Sequence, residues 1–333
     1  MSDKVRFDPS YDIYEYDVDS SWMDYVTEEY QEYRRKWIMA AKRFLFDFPL
    51  CLEIEVSYYC NLKCPVCARE VLGDYGERGL IERKLYSRII NNAARHKMPA
   101  ILLAHEAEPL INPRLSDMIK EARDAGIIDI GMHTNANLLT EETSENLINA
   151  GITRINFSID ATNEEVYKAV RPGGDFNAVV NNTLAFLKLK DKLKRRNIRT
   201  RVSFVVQHNN KHQKKNFYEF WKDKVNVISF QTLVDFKKFD NRDKNANSYK
   251  KDFVCNRTWQ LMIVRYNGNV VPCGKPFRSY DTDDYLLGNL NLNTIEECWN
   301  SHKMEKIRGF HSKEKYHMLP FCRDCMTAHL RIE

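Results

Sequence analysis

Three cysteines near residue 60 are the residues best suited to do chemistry. Cys60, Cys64 and Cys67 are spaced C-x3-C-x2-C, directly after an apolar, strand-like run at 51–57. Three thiolates this close together can hold three corners of a cubane iron–sulfur cluster, which normally has four cysteine ligands. The fourth iron then stays open to a substrate or cofactor. A zinc site with His105 as fourth ligand is the alternative, but zinc usually draws on a second pair of ligands, and no further cysteine occurs before residue 255.

A second group of cysteines lies towards the C-terminus. Cys255, Cys273, Cys322 and Cys325 follow the pattern C-x17-C-x48-C-x2-C. Closely spaced cysteines in a cytosolic protein are metal ligands more often than disulfides. Taken alone, this set fits a tetrahedral zinc site as well as an iron–sulfur cluster. The two groups predict two metal sites in two regions of the chain.

The composition argues against several function classes. The 333 residues contain no apolar run approaching the roughly 18–20 residues of a membrane-spanning helix, and the first residues lack the apolar core of a secretory signal. We therefore expect a cytoplasmic protein with no membrane partner. The chain has 51 basic and 46 acidic residues, and its basic stretch at 188–201 belongs to a leucine-patterned helix with a solvated polar face. A nucleic-acid partner is therefore not expected.

The elements that must position the first cysteines alternate between strand and helix. Strand-like runs occur at 51–57, 100–104, 127–132, 154–158, 200–206 and 227–231, and helical patterns at 82–95, 113–125, 141–150, 177–194 and 211–223. This rhythm predicts an α/β fold, a parallel sheet with helices on its outer face. Six units are too few for an eight-unit barrel, so we predict a partial, open (β/α)6 TIM-like barrel with ligands at the carboxyl ends of its strands.

The segments that flank this array differ from it in sequence pattern. Residues 1–45 are interpreted as an N-terminal helical extension, with a helix near 22–44. The barrel is assigned to 46–238, and the polar segment 240–251 is interpreted as a linker. A small C-terminal domain at 250–333 is expected to begin with a hairpin, two short strands at 259–265 and 269–272 around an Asn-Gly turn, followed by a helix at 294–308.

With these landmarks in place, the chain resembles the radical S-adenosylmethionine (radical SAM) superfamily over about residues 50–235. The C-x3-C-x2-C motif follows the first strand, as in that family. After the second strand, Glu-Ala-Glu108-Pro resembles the family's Gly-Gly-Glu-Pro, whose glutamate holds the methionine amino group. After the third strand, Thr-Asn135-Ala resembles the common Thr-Asn-Gly. Two departures occur: Glu106 and Ala107 replace the paired glycines, and Val66 replaces the usual aromatic residue before the third cysteine.

The fourth strand ends in a further cofactor-binding segment of the family. Ser158-Ile-Asp160 resembles the Ser-Ile-Asp that contacts SAM near its ribose and carboxylate, and Arg171 matches a downstream arginine. The resemblance implies that a [4Fe–4S] cluster on the first three cysteines reductively cleaves SAM. The resulting 5′-deoxyadenosyl radical then abstracts hydrogen from a substrate. It also implies a flavodoxin- or ferredoxin-type electron donor.

The C-terminal cysteines resemble the SPASM/twitch domains found in many radical SAM enzymes. The hairpin before Cys273 and the segment 287–299 are typical of these domains. A full SPASM domain needs more cysteines, and none follows Cys325. We therefore predict one auxiliary [4Fe–4S] cluster ligated by Cys255, Cys273, Cys322 and Cys325. The pattern matches the shortened twitch form, as in 2-deoxy-scyllo-inosamine dehydrogenase.

The sequence leaves the reaction beyond SAM cleavage open. An alcohol oxidation, in which the auxiliary cluster takes the second electron from a sugar or cyclitol, agrees with a single auxiliary cluster. Epimerisation of a sugar or peptide would need a cysteine hydrogen donor, and Cys51 and Cys298 remain for that role or as buried apolar residues. A third hypothesis is modification of a peptide or protein substrate, and a fourth is a non-catalytic iron–sulfur or zinc protein.

Overall fold

The computed structural model describes residues 4–8, 13–73, 76–233, 255–274 and 285–329. The predicted linker at 240–251 and the predicted domain boundaries at 238 and 250 lie outside these ranges. Within them, one sheet of eleven strands runs in the order β1-β2-β8-β7-β6-β5-β4-β3-β9-β10-β11. The strands are β1 Lys4–Asp8, β2 Ile13–Asp17, β3 Cys51–Ile54, β4 Ala100–Leu103, β5 Asp129–Thr134, β6 Arg154–Ser158, β7 Arg199–Val206, β8 Val227–Thr232, β9 Leu261–Val264, β10 Asn269–Val271 and β11 Gly288–Asn289.

Strands β3 to β8 are parallel and adjacent in chain order, which confirms the partial (β/α)6 barrel. The five helices predicted between these strands are present, and the short helices α2 and α6 were not predicted. The helices are α1 Glu28–Ala41, α2 Ala68–Leu72, α3 Arg83–Arg95, α4 Leu115–Asp124, α5 Glu141–Ala150, α6 Glu164–Val170, α7 Phe176–Lys192, α8 Lys214–Trp221, α9 Ile295–Trp299, α10 His302–Ser312 and α11 Pro320–His329. Within the described residues, none of the helices combines the length and apolarity needed to cross a membrane.

Segments from both ends of the chain extend the parallel sheet. The N-terminal extension contains the predicted helix, as α1, but it is not helical throughout, because β1 and β2 form a hairpin and β2 pairs antiparallel with β8. Alternating side chains at 13–17 gave a strand signal that the helical interpretation overlooked. At the opposite edge β9 pairs in parallel with β3. The barrel sheet is therefore bordered by a hairpin on each side.

The C-terminal hairpin forms as predicted, and the helix after it does not. Strands β9 and β10 pair with Val270 opposite Val264, and Gly268 in the turn has φ +92°. The predicted helix 294–308 is two helices, since α9 ends at Trp299 and α10 begins at His302. The Ser301 side chain accepts a hydrogen bond from the Met304 backbone N–H, so it caps a new helix instead of continuing the old one.

Alternation along the parallel strands separates an apolar face from a polar one. On β5, Ile130 and Met132 belong to the large apolar core beneath the helices, whereas His133 points to the other face. That inner face carries hydrogen-bonding groups from several strands. Arg201 of β7 donates to Asn156 of β6 at 2.9 Å, lies 3.3 Å from His133 Nε2, and pairs with Glu15 of β2 at 2.6 Å. Glu15 therefore ties the N-terminal hairpin to the barrel interior.

This ion pair gives a test of how the N-terminal hairpin is held. Glu15 and Arg201 side chains are each only 20% exposed, so we expect Glu15→Ala to lower the free energy of unfolding by about 2–4 kcal/mol, because Arg201 keeps a buried charge without its carboxylate. Glu32→Ala is the matched control, since its ion pair with Arg35 is exposed and such pairs contribute about 0–1 kcal/mol. Urea denaturation measures both. Equal losses in the two variants would contradict the role given to Glu15.

Candidate functional site

The first cysteine loop lies at the carboxyl end of β3. Cys60, Cys64 and Cys67 are free and partly buried. The Cys67 N–H donates to the Cys64 carbonyl at 2.9 Å, and the Cys67 carbonyl accepts from the backbone of α2. The sequence thus forms a tight turn that leads directly into a short helix. This local geometry keeps the three thiols on one compact loop.

Electrostatics around the loop suit a group that binds thiolates. Burial raises the pKa of all three thiols, that of Cys67 to about 12. The guanidinium groups of Arg69 and Arg171 oppose this by lowering the pKa of Cys60, and Arg171 does the same for Cys64. Metal binding requires the thiolate form, and nearby positive charge favours that form. The donor set therefore fits the predicted iron–sulfur cluster.

Glu108 connects the second and third strand ends beside this loop. Its side chain is buried, and its backbone N–H donates to the Tyr59 carbonyl at 3.0 Å. Oε1 accepts from Thr134 Oγ1 at 2.8 Å and from the Leu110 N–H at 3.1 Å, and Oε2 accepts from the Asn135 N–H at 2.7 Å. Burial raises the pKa of Glu108 to about 7 despite these donors. A carboxylate is thus held beside the residue that precedes Cys60.

Asn135 joins the end of β5 to the cysteine loop. Its Nδ2 donates to Asn61 Oδ1 at 2.8 Å, and Asn61 is the residue between Cys60 and Leu62. Its own Oδ1 accepts from the Asn137 N–H at 3.0 Å, so the side-chain amide has a defined orientation. Asn135 therefore lies beside the cysteine loop.

Asp160 and Arg171 form a buried ion pair on the far side of the loop. Asp160 Oδ2 accepts from Arg171 Nε at 2.9 Å and lies 2.7 Å from Nη2, so one carboxylate oxygen meets two guanidinium nitrogens. Asp160 has φ +63° and accepts from the Val205 N–H at 2.7 Å, which fixes this unusual turn after β6. The pair aims the Arg171 charge at Cys64 and Cys60, as the pKa effects above indicate.

The Arg-Pro-Gly-Gly segment packs directly on the cysteine loop. The Pro172 carbonyl accepts from the Lys63 N–H at 3.0 Å. Gly173 has φ +95°, and a Cβ there would lie 3.2 Å from the Asn61 carbonyl oxygen. Only glycine provides both the left-handed backbone and this close approach. Ser158, in contrast, contacts Ser203 on β7 at 3.5 Å and is not joined to the loop by a hydrogen bond that the structure describes.

Sequence reasoning missed two residues of this site. Arg69, in the first turn of α2, is buried with its guanidinium 4.8 Å from the centre of the Tyr58 ring. Asn61, inside the cysteine motif, links that motif to Asn135. Their positions within and just after C-x3-C-x2-C were the available signal. Only the cysteines of this motif were predicted as site residues.

The departures from the family glycines have a structural explanation. Neither Glu106 nor Ala107 has a positive φ; the left-handed backbone falls at His105, with φ +145°. His105 Nδ1 lies 3.3 Å from Glu53 Oε1. Burial lowers the pKa of His105, but Glu53 and the neighbouring carboxylates raise it more, to about 9. These carboxylates favour the protonated imidazole, which disfavours the use of His105 as a proton acceptor.

Three of the four cysteines of the second group share one small cluster. Cys255, Cys322 and Cys325 pack around Tyr316, and Cys273, at the end of the hairpin, borders an adjacent apolar cluster that Cys322 also contacts. In the part of the chain that is described, no three His, Cys, Asp or Glu side chains converge as ligands of a single ion would. A cubane instead binds each thiolate on a different iron. The four sulfurs have suitable donor chemistry for such a cluster.

Glu53 on β3 links the two cysteine regions. Its Oε1 contacts His105, at the strand end that leads to Glu108, and its Oε2 accepts from Arg257 Nη2 at 3.1 Å. Arg257 lies two residues after Cys255. A short charged network thus runs from one candidate site towards the other across the inner face of the sheet.

The two remaining cysteines lie in apolar cores. Cys51 is 2% exposed and Cys298 1% exposed. Burial raises the pKa of each thiol to about 12. Cys51 begins β3, at the opposite end of the strand from the Cys60 loop. These positions are those of buried small apolar residues.

The glycine contact gives a test of the first site. We expect Gly173→Ala to lower the iron bound by the first cluster, because the new Cβ pushes on the Asn61 carbonyl beside Cys60. Gly126→Ala is the matched control, since Gly126 has the same φ of +95° and nothing within 4 Å of its Cβ position. Both variants should lose about 1 kcal/mol of stability from backbone strain, but only Gly173→Ala should lose iron. The measurement is the iron content after anaerobic reconstitution. An unchanged iron content in Gly173→Ala would contradict the proposed packing.

Comparison with known protein families agrees with this geometry. The model of the radical SAM superfamily matches residues 54–219, from β3 to the helix before β8. The model of the SPASM iron–sulfur cluster-binding domain matches residues 255–326 and includes all four C-terminal cysteines. Between them, the two matches account for most of the chain.

Two kinds of relative are similar to parts of the sequence. A tungsten-containing aldehyde ferredoxin oxidoreductase cofactor-modifying protein of Pyrococcus furiosus is 24% identical over 314 residues, covering 82% of this chain and 86% of the relative. A probable GTP 3′,8-cyclase of Methanocaldococcus jannaschii is 31% identical over 130 residues, covering 39% of this chain and 43% of the relative.

Solved structures share the fold at low sequence identity. BtrN in complex with AdoMet and 2-DOIA superposes with a TM-score of 0.55 at 17% identity, covering 84% of this chain and 92% of BtrN. The anSMEcpe structure with bound AdoMet superposes with a TM-score of 0.60 at 18% identity, covering 84% of this chain and 88% of anSMEcpe. Streptococcus suis SuiB bound to the precursor peptide SuiA superposes with a TM-score of 0.56 at 17% identity, covering 84% of this chain and 71% of SuiB.

Family, fold and cofactor chemistry therefore agree. The radical SAM domain binds a [4Fe–4S] cluster and SAM, and the SPASM domain binds auxiliary iron–sulfur. The chain belongs to the radical SAM superfamily and carries a C-terminal SPASM domain.

Proposed function

We propose that this enzyme oxidises an alcohol of a polar, sugar- or cyclitol-type substrate by hydrogen abstraction. The observation that carries the proposal is the convergence of the Cys60–Cys64–Cys67 loop with Glu108, Asn135 and the Asp160–Arg171 pair at the strand ends. When bound, a [4Fe–4S] cluster with one open iron supplies an electron that cleaves SAM to methionine and a 5′-deoxyadenosyl radical. The residues described above hold the two cofactors together and shield them from water.

Glu108 is proposed to bind the amino group of SAM. A carboxylate offers about four acceptor positions, and three are used by Thr134, Leu110 and Asn135. The remaining position is on Oε2. An ammonium group placed there would stabilise the charged carboxylate and offset the effect of burial. Ser158 and the Asp160–Arg171 pair are proposed to border the ribose and carboxylate.

The inner face of the sheet supports a polar substrate. His133, Asn156, Arg201 and Ser203 present donors and acceptors on three adjacent strands. Hydroxylated substrates are recognised by such hydrogen-bonding groups, which an apolar substrate would cover without replacing their contacts with water. We place the substrate on this face, next to the strand ends.

The auxiliary site is proposed to hold one [4Fe–4S] cluster on Cys255, Cys273, Cys322 and Cys325. With every iron ligated by cysteine, the cluster would accept the electron that the substrate radical loses as its hydroxyl proton passes to a base or water and the ketone forms. A flavodoxin- or ferredoxin-type protein is the proposed donor to the first cluster. We propose a reducing, cytoplasmic setting, in which closely spaced cysteines serve as metal ligands. We propose domains at 1–45, 46–238 and 250–333, with the two flanking hairpins completing the barrel sheet.

Modification of a larger molecule is the second candidate. It is favoured by the similarity to the cofactor-modifying protein of Pyrococcus furiosus over 82% of this chain, and by the shared fold of SuiB, which binds a precursor peptide. Epimerisation is less well supported, because the Cys51 and Cys298 side chains are buried and Cys51 lies at the opposite end of β3 from the Cys60 loop.

Cysteine variants test the proposed chemistry. The reconstituted chain should hold roughly seven to eight iron atoms and form 5′-deoxyadenosine from SAM and dithionite. Cys60→Ala should abolish that product, whereas Cys322→Ala should retain it and lose the oxidised, ketone product from polyol substrates. Cys298→Ala is the control and should behave like the parent enzyme. Zinc in place of iron would contradict every enzymatic hypothesis, and ketone formation by Cys322→Ala would contradict the electron-acceptor role.

A second test concerns Glu108. Because its pKa is raised to about 7 and the charged form binds an ammonium, SAM affinity should fall as pH is lowered below 7. Glu108→Gln should weaken SAM binding at pH 8 at least tenfold, about 1.4 kcal/mol, and remove the pH dependence. Glu106→Gln, a neighbouring carboxylate, is the control. Calorimetric titration of the oxidised enzyme measures both effects, and parent-like affinity in Glu108→Gln would refute the assignment.

A further inference from the structure

A histidine contacts one of the auxiliary cysteines. His311 Nε2 lies 3.3 Å from Cys322 Sγ, within the distance of an N–H···S hydrogen bond. We propose that His311 donates this hydrogen bond to the Cys322 thiolate and so raises the reduction potential of the auxiliary cluster. The inference rests on the proposed cluster at Cys255, Cys273, Cys322 and Cys325.

Packing holds the imidazole in this position. His311 lies near the C-terminal end of α10 and is 2% exposed. Its ring stacks on Tyr316, with centroids 5.7 Å apart and planes 14° apart, and it makes an edge-type contact with Trp259, with centroids 6.4 Å apart. Tyr316 is itself the residue around which Cys255, Cys322 and Cys325 pack. The ring is thus part of the wall of the auxiliary site.

The direction of the hydrogen bond follows from the available partners. An iron-bound thiolate has no proton, so its sulfur can only accept. Among the described residues, His311 Nδ1 has no hydrogen-bond partner. The proton of the imidazole is therefore best placed on Nε2, where it meets the sulfur. This orientation gives the imidazole N–H an acceptor inside a buried site.

A donor on a ligand sulfur changes the cluster's affinity for an electron. Reduction adds negative charge that is shared with the thiolates, and a hydrogen bond to sulfur stabilises that charge. The reduced state is favoured, and the potential rises. His311 is thus a positioning residue that makes the auxiliary cluster a better electron acceptor.

The decisive experiment isolates the auxiliary cluster. A full-length chain with Cys60, Cys64 and Cys67 all changed to Ala retains only the C-terminal site, and EPR-monitored redox titration follows its cluster. In His311→Phe, which keeps an aromatic ring, the ratio of reduced to oxidised cluster at a fixed potential should fall about tenfold, corresponding to about 59 mV. His311→Gln keeps an N–H donor and should fall less. An unchanged ratio in His311→Phe would overturn the proposal.

Spectroscopy tests the same contact without altering His311. With 15N-labelled histidine, pulsed EPR of the reduced auxiliary cluster should show one weak nitrogen coupling that His311→Gln removes. No coupling overturns the hydrogen bond, and a strong coupling overturns it by making His311 a direct ligand. If the Cys60, Cys64 and Cys67 variant binds no iron at all, the proposed auxiliary cluster fails and the inference fails with it, whereas bound iron without coupling refutes the hydrogen bond alone.

Discussion

The active site depends on one constraint, that neighbouring parallel strands all end at the same edge of the sheet. Residues far apart in sequence follow β3, β4, β5 and β6, and this geometry brings them to one place. Glu108 shows the consequence most directly, because this buried carboxylate follows β4 and accepts hydrogen bonds from Thr134 and Asn135 at the end of β5. The cysteine loop, the Asn61–Asn135 contact and the Asp160–Arg171 pair are further links between the same strand ends.

The polar inner face follows from the same strands. Each parallel strand covers the helix-packed core with one set of side chains and leaves the alternate set inside the barrel. Arg201, Asn156 and His133 occupy that second set and hydrogen-bond across three strands. A fully apolar interior would make the fold more stable. It would offer no hydrogen-bonding groups to a hydroxylated substrate. The stability of this face instead relies on paired groups such as Glu15 and Arg201.

The sequence was informative wherever chemistry required a residue type at a set spacing. The cysteine motif, the six parallel strands and the Asn-Gly hairpin follow from local patterns, and the fold agrees with them. The strand signal at 13–17 was overlooked, and the pairing of β2 with β8 could not be found in this way, because it joins residues more than two hundred positions apart. The break between α9 and α10 was not predicted, because the helical pattern of the sequence continues through Ser301. In the structure the Ser301 side chain caps a new helix. Arg69, Asn61 and His311 act through contacts that only the folded chain creates.

The pairing of β9 with β3 also bears on how this protein is made. Cys51 of β3 lies opposite Leu261 of β9, so during synthesis the strand that leads into the Cys60 loop has an unpaired edge until most of the chain has left the ribosome. Unpaired strand edges are prone to association with other chains. Long-range pairings of this kind also slow folding. The order of translation therefore delays completion of the sheet beside the first cluster until the C-terminal hairpin arrives, and truncated chains would carry the cysteine loop on an exposed edge.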